Sequence, residues 1–391
     1  YFFQFLMARM LTVAVYGELQ SLLALLAIVA IPTATLTTVL VKYTADFKAK
    51  NQPNKIYSLF LLLTKKTFVV AIISFVIFVF LSRQIAGFLN LNSIWPLIIL
   101  GAAFLFGFSN AVNVGVLRGL QKFKELSIIS FISACIKILF AVWLVKLGFA
   151  INGAIGAVTL AAFASYLFSI YPLKFLFERR KEDVQAREIF RYSFPVFFSL
   201  LFTTLLCSGN IILVKHFFSA QTAGEFGALA MLGNIIFFVT GPVAGVMFPM
   251  AADAHICLGH PSKILKKAVY LTTFIGLAIV GCYFIFADLI IKILIGRKFL
   301  LIGQYLGWFG LAMFFYSLVA LLANYFLSVG KIRSAYLVGA GAILQIILIS
   351  IFHATLWQIV WIMNGSMLFV LLLLTVYFFR IYPLCPKKKF P

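Results

Sequence analysis

The chain is expected to fold as an all-α polytopic membrane protein with about twelve transmembrane helices in two pseudo-symmetric six-helix bundles. Three observations lead there. Of its 391 residues 64% are hydrophobic, 45 of them Phe, and no water-soluble globule has enough interior to hide that fraction. Apolar runs of about 20 residues, the length that crosses a bilayer as a helix, recur from end to end. Finally, Lys and Arg gather in every second gap between those runs.

Taken in order, the first run, Tyr1 to Leu11, is short and has neither a basic leader nor a small-residue cleavage site, so it reads as a truncated first helix rather than a signal peptide. The next five spans are Glu18 to Val41, Thr67 to Phe88, Ile94 to Leu117, Leu126 to Val145 and Asn152 to Phe175. The following six are Tyr192 to Val214, Gly224 to Met250, Ala268 to Ile290, Leu301 to Leu327, Ser334 to Phe352 and Leu356 to Phe379. Short polar gaps separate them. Gaps after even-numbered spans, with the tail, hold 24 of the 32 basic residues. Odd-numbered gaps hold seven: Arg9, Arg83, Lys146, Lys215, Lys292, Arg297 and Lys298. The positive-inside rule therefore places both termini in the cytoplasm.

A net charge of +22 distributed over membrane-edge loops faces anionic lipid heads, so no nucleic-acid partner is expected. The cysteines Cys135, Cys207, Cys257, Cys282 and Cys385 are scattered and odd in number, and they imply neither a disulfide framework nor a zinc site. Asp253, His255, Cys257 and His260 have only loosely metal-like spacing. Gly339-Ala340-Gly341 lacks a third glycine and a preceding strand, which makes it a helix-packing feature rather than a nucleotide loop. There is no P-loop, and no cofactor is expected.

The largest polar insert, Glu178 to Glu188, sits at the midpoint. It divides the chain into an N-terminal bundle 1–177, a cytoplasmic connector 178–190, a C-terminal bundle 191–380 and a basic cytoplasmic tail 381–391. An internal repeat supports this division. Tyr16-Gly17-Glu18-Leu19 matches Ala223-Gly224-Glu225-Phe226 at an offset of 207, and Leu117 to Gln121 resembles Leu327 to Lys331 at 210. With an even number of spans in each half, the halves would be parallel repeats, as in transporters. Pro32, Pro195, Pro242 and Pro249 fall inside spans and should kink them. Gly241 and Gly245 have the small-residue spacing that allows close helix contact.

Lys137 stands near the middle of the fifth span, where a charge is costly and therefore faces an interior or a partner. Its helical neighbours Ser127, Ser130, Ala134 and Ala141 form a small, polar stripe suited to a cavity. Gln345 occupies the corresponding place in the second half. Ser199, Thr203, Cys207 and Asn210 make a similar stripe on the seventh span, while Asn110 and Asn113 lie one turn apart on the fourth and Asn324 on the tenth. These amides either bond neighbouring helices or meet a polar ligand such as sugar. Arg9 and Lys215, at equivalent outer ends of the first and seventh spans, are cations able to hold phosphate or acidic sugar. All ten carboxylates lie in gaps or at span ends. Only Glu18, Glu225 and Asp288 come near enough to the membrane to serve ion coupling.

Val116-Leu117-Arg118-Gly119-Leu120-Gln121-Lys122-Phe123, Arg191-Tyr192-Ser193-Phe194-Pro195 and Leu213-Val214-Lys215-His216-Phe217-Phe218 with Ala223-Gly224-Glu225-Phe226 resemble polysaccharide biosynthesis proteins of the Wzx-type oligosaccharide flippase group. That group belongs to the multidrug/oligosaccharidyl-lipid/polysaccharide (MOP) exporter superfamily. The resemblance covers essentially the whole chain. It implies a MATE-like pair of bundles rocking about a central cavity in the cell membrane and moving a polyprenyl-pyrophosphate-linked oligosaccharide, such as an O-antigen repeat unit, without making or breaking a bond. Lys137 would hold the anionic head, assisted by Arg9 and Lys215 nearer the outer side. Partners would be the lipid-linked sugar, membrane lipids and polysaccharide assembly proteins. Asn210 stands where such proteins often carry Asp, which leaves the coupling ion open. Two other readings are a drug/cation antiporter of the same superfamily, which should favour acidic residues in the cavity, and a membrane-embedded glycosyltransferase or polymerase, which should carry a sizeable catalytic loop.

Overall fold

A computed structural model of the chain describes residues 1–178, 181–182, 186–256, 261–331 and 333–381. All regular structure in it is helical: α1 (Phe2–Met10), α2 (Val13–Val29), α3 (Ile31–Ala49), α4 (Pro53–Phe80), α5 (Ser82–Phe88), α6 (Trp95–Gly119), α7 (Phe123–Leu144) and α8 (Ala150–Ile170), then α9 (Ala186–Phe217), α10 (Ala220–Ile256), α11 (Pro261–Ile285), α12 (Ala287–Leu294), α13 (Gly303–Ser328), α14 (Arg333–Ile351) and α15 (Leu356–Ile381). The order long helix, short helix, long helix and helical pair recurs, from α4 to α8 and again from α11 to α15.

Among the described residues nine helical stretches are long and apolar enough to cross a membrane, or ten if α2 and α3, bent by 44°, count as one broken span. The protein is a multi-pass membrane protein. The stretch Phe123–Phe177 has 55 residues and would run about 80 Å if straight. It instead folds back at Gly148 and Ala150, both with positive φ, and α8 packs along α7, so it supplies two of the expected crossings. The expected first span appears as α1, whose nine residues make a helix only about 14 Å long.

The chain forms two compact units: Tyr1–Leu200 with Lys215–Gly227, and Leu201–Val214 with the residues from Ala228 onward. The three boundaries between them fall within α9 and α10, which each divide their length between the units, rather than in the connector expected at 178–190. Residues 179–180 and 183–185 of that connector, and the tail from residue 382, lie outside the described residues.

In the first unit α6 is the central helix, packed by α3, α4 and α8. Its sequence allows this because small residues face its neighbours. A Cβ on Gly115 would come within 2.7 Å of Leu40 Cβ, and one on Gly119 within 2.5 Å of Thr44 Cβ. Where backbones approach that closely, dispersion and close packing replace the hydrophobic drive that lipid does not supply. Around this contact lie the buried Leu59, Val112, Val116 and Leu117. The turn after α6 is tied down by Lys48 Nζ donating to Leu120 O and Gln121 Oε1, both at 3.0 Å, and by Lys122 Nζ donating to Pro172 O at 2.9 Å.

In the second unit α13 takes the central role, packed by α11 and α15. A helix apolar on every side is one that is buried on every side, and Phe309, Met313, Tyr316, Val319 and Phe326 of α13 are all buried. The outward faces of α4 and α11 instead expose Phe68, Ile73, Phe80, Phe274 and Ile285, as lipid-facing helices do.

Two glycine expectations fare differently. Gly339 and Gly341 serve helix packing, against Phe202 and Val370. Gly241 and Gly245 have nothing within 4 Å of a would-be Cβ, so the expected close contact at this pair is absent. Pro242 and Pro249 lie inside α10, which runs unbroken through both.

Candidate functional site

The most concentrated buried charge in the first unit is at the start of α2 and the end of α9. Thr12 begins α2 by accepting from Val15 N at 3.4 Å, which sets Tyr16, Glu18 and Gln20 on the first two turns. Gln20 Nε2 donates to Tyr16 Oη at 2.5 Å. Glu18 is only 5% exposed and accepts from Asn92 Nδ2 at 3.0 Å. Asn92 comes from the loop after α5, a position that sequence reasoning passed over because a lone loop Asn carries no signal.

Lys215, on the last turn of α9, is 1% exposed. Glu18 and Lys215 act on one another electrostatically but do not close to an ion pair. The ion pairs among the described residues are Lys50 with Asp46 at 3.8 Å and Lys55 with Glu182 at 3.6 Å. Removing two charges from water costs several kcal/mol per ion unless they compensate each other. Glu18, Lys215 and Asn92 provide that compensation together.

Two contacts hold this region in place. His216 stacks on Phe88 with ring centroids 4.1 Å apart and 8° between planes, its Nδ1 lies 2.7 Å from Phe88 O, and Asn90 Nδ2 donates to His216 O at 3.1 Å. Beside them, the first turns of α2 and α10 cross at Gly17 and Gly224. A Cβ on Gly17 would stand 2.6 Å from Gly224 N, and one on Gly224 would overlap Val13 O. The sequence repeat that pairs Gly17-Glu18 with Gly224-Glu225 thus marks two segments that touch. Glu225 itself accepts from Gln221 at 3.2 Å.

Lys137 lies on α7, half-buried, with Nζ 5.2 Å from the Phe3 ring centroid of α1. Ser127, Ser130 and Ala134 of its stripe are exposed, and Ala141 is buried. Arg9 is exposed near the end of α1. Asn110 Nδ2 donates to Ser165 Oγ at 2.9 Å and Asn113 Nδ2 to Ser169 Oγ at 2.7 Å, so both amides join α6 to α8. Oδ1 of Asn110 is buried without a partner.

In the second unit the stripe on α9 packs inward. Tyr316 Oη donates to Thr203 O at 3.2 Å, Cys207 Sγ lies 3.6 Å from Asn234 Oδ1, and Asn210 Nδ2 lies 3.2 Å from Met363 Sδ. Asn210 Oδ1 has no partner. Gln345 is fully engaged, donating to Leu206 O at 3.2 Å and accepting from Ser366 Oγ at 3.0 Å. Asn324 donates to Ala320 O of its own helix at 2.8 Å. Asp288 is exposed in the first turn of α12, close to Gly303 at the start of α13, where a carboxylate complements a helix N-terminus.

The structure therefore brings Glu18 and Lys215 together and uses Asn110, Asn113, Asn210 and Gln345 between helices. Cys257 and His260, and the side chains of Asp253 and His255, lie outside the described residues. Among the described residues no group of three or more His, Cys, Asp or Glu could hold a metal ion.

A family model described as polysaccharide biosynthesis protein matches residues 6–304. No curated protein matches the chain in sequence. Among solved structures, the chain is similar to the inward-facing conformation of a multidrug resistance MATE family transporter of the MOP superfamily, with a TM-score of 0.78 and 15% identity over 97% of this chain and 94% of that one. It is also similar to the lipid II flippase MurJ in an inward closed conformation, with a TM-score of 0.73 and 14% identity over 96% and 84%. A eukaryotic MATE transporter, AtDTX14, matches with a TM-score of 0.68 and 13% identity over 96% of each chain. At such identities the likeness concerns the fold.

Proposed function

The chain belongs to the polysaccharide biosynthesis protein family, a membrane transporter and flippase group of MOP fold, and from that premise we propose that it moves a polyprenyl-pyrophosphate-linked oligosaccharide across the cytoplasmic membrane. Both termini face the cytoplasm in this reading, as the distribution of Lys and Arg requires. The lipid tail stays in the bilayer while the head group passes through the protein by alternating access, and no bond is made or broken. A MOP-fold protein that flips lipid II supports a lipid-linked sugar as cargo.

One observation carries the reading: the cation inside the span of α7, Lys137, has an aromatic ring beside it and, among the described residues, no ion pair with a carboxylate. An ammonium in that setting keeps its electrostatic attraction for an incoming anion, and charge-assisted hydrogen bonds to phosphate oxygens are among the strong ones. Lys137 therefore receives the pyrophosphate. Arg9 assists from α1, and Lys215, balanced against Glu18, belongs to the closure at the outer side. A cation antiporter would reverse this polarity.

The test follows lipid-linked oligosaccharide in cells lacking their own flippase. Expression of the chain is expected to relieve accumulation in the cytoplasmic leaflet. Lys137→Ala should lower flipping at least tenfold and Lys137→Arg should restore most of it, the order expected of a loss of about 1.4 kcal/mol or more. If accumulation persists with the wild-type chain, the flippase reading is wrong; if Lys137→Ala flips as well as wild type, the role of Lys137 is wrong alone.

A further inference from the structure

Among the described residues each unit has an open, almost wholly apolar pocket, and the two are built from matching parts of the repeat. In the first unit a cavity of about 440 Å³ lies among α3, α4, α6 and the start of α9. Pro32 and Leu36 of α3 form one wall, and Leu63, Lys66, Thr67 and Val70 of α4 the other. In the second unit a cavity of about 470 Å³ lies between α10 and α11. Pro242 and Val246 form one wall there, and Ile264, Lys267, Ala268 and Leu271 the other.

Six lining residues of each pocket correspond. Pro32 and Leu36 map onto Pro242 and Val246 at an offset of 210, while Leu63, Lys66, Thr67 and Val70 map onto Ile264, Lys267, Ala268 and Leu271 at a single offset of 201. In both units the pocket lies beside a proline-bearing helix, α3 in the first and α10 in the second. The base of each pocket is buried, with Leu63 and Thr67 below 9% exposed in one, and Met247 and Ala268 in the other. Each pocket has a cationic edge: Lys66 beside Lys65 in the first, and Lys263 and Lys267 flanking Lys266 in the second, all exposed. Neither lining contains an Asp or Glu. These lysines lie in the gaps assigned to the cytoplasmic face.

An apolar slot of a few hundred Å³ with a small number of placed polar groups is the form of a ligand site. This one is apolar over most of its lining with exposed Lys at its edge, in gaps assigned to the anionic leaflet, where each Lys near the surface attracts acidic head groups. We propose that each unit binds one anionic phospholipid of the cytoplasmic leaflet, an acyl chain lying in the pocket and the phosphate on the Lys pair at its rim. Duplication selects this occupant over the transported molecule, because a bulk lipid is present for both halves whereas one cargo molecule would fill one. The acyl chain then lies beside Pro32 in one unit and Pro242 in the other. The proposal rests on the orientation given above and not on the cargo.

The experiment is native mass spectrometry of the purified chain titrated with phosphatidylglycerol or phosphatidylcholine. Two tightly retained phosphatidylglycerol molecules are expected on the wild type. One is expected after Lys65→Ala with Lys66→Ala, one after Lys263→Ala with Lys267→Ala, and none after all four, each loss corresponding to at least tenfold weaker retention. Val246→Trp, which fills the second pocket without altering charge, should also leave one. Lys124→Ala, at the same face but outside both linings, should leave two. Equal retention of phosphatidylcholine, retention that ignores the pocket substitutions, or displacement of both lipids by a polyprenyl phosphate would each overturn the proposal. None of these readings requires the protein to flip anything, so failure here is distinguishable from failure of the flippase reading.

Discussion

Removing either Glu18 or Lys215 should destabilise the first unit, and removing both should restore most of what one removal loses. Lys215→Met keeps the length of the side chain but leaves Glu18, 5% exposed, with Asn92 as its remaining polar support. Glu18→Gln leaves Lys215, 1% exposed, without its opposing charge. Two unit charges 4 Å apart at an effective dielectric constant of about 20 exchange about 4 kcal/mol. Glu18 and Lys215 do not close to that distance, so about 2 kcal/mol is the magnitude to expect for their coupling. Stranding one charge of a buried pair is costly while replacing both by neutral groups of similar shape is often close to neutral. Reversible unfolding in mixed micelles should therefore show a loss of about 2 kcal/mol for each single variant and less than about 1 kcal/mol for Glu18→Gln with Lys215→Met. Additive single effects, agreeing within about 0.5 kcal/mol as for independent sites, would refute the idea that the two charges compensate each other.

Gly224→Ala should sharply reduce the yield of folded, monodisperse protein in size-exclusion chromatography, because its Cβ would overlap Val13 O; Gly241→Ala, with open space around it, should be silent or gain up to about 1 kcal/mol from improved helix propensity. Gln345→Leu breaks the bonds to Leu206 O and Ser366 Oγ, each worth about 0.6 kcal/mol in a membrane bundle. It should lower stability by about 1 kcal/mol in the same unfolding assay while flipping per folded molecule stays within twofold of wild type, and a selective loss of flipping would return Gln345 to the cargo path.

The crossings were legible in the sequence because the physics behind them acts over short stretches. A run such as Leu301 to Leu327 must be helical in lipid, since every backbone N–H and C=O needs a partner within its own segment, and α13 (Gly303–Ser328) follows it closely. What the runs did not disclose was where a helix bends or ends. The span Glu18 to Val41 is two helices meeting at Ala30 with a 44° bend, because Pro32 at the second position of α3 cannot donate its backbone N–H and begins a new helix instead. In the same way α4 (Pro53–Phe80) starts well before Thr67. Lys55, Lys65 and Lys66 interrupt the apolar run without breaking the helix, since a long side chain carries its charge to the interface while its stem stays in the helix. The unit boundaries were hidden for a related reason. Composition marks the polar connector, whereas the division of α9 and α10 between units is set by which neighbours those long helices touch.

The site was legible only where a residue violated the pattern around it. Lys137 and Lys215 stood out as charges that orientation does not explain, and the structure gives each an environment suited to its cost: a ring at 5.2 Å for Lys137 and an opposing buried carboxylate for Lys215. Amides gave no comparable signal, because an Asn in a span has the same sequence appearance whether it faces cargo or a neighbouring helix. Asn113 on Ser169 and Gln345 on Ser366 are bonded between helices, an arrangement decided by tertiary register. Cations and amides therefore separate into different tasks in this protein. Asn110, Asn113 and Gln345 hold helices of one unit to each other, and under the proposed function the recognition of an anionic head falls to the few cations that the membrane would otherwise exclude. A substitution that adds a carboxylate next to Lys137, such as Ala134→Asp one turn away on α7, should then abolish flipping without unfolding the unit. Normal flipping by that variant would mean that the cargo's charge is read elsewhere.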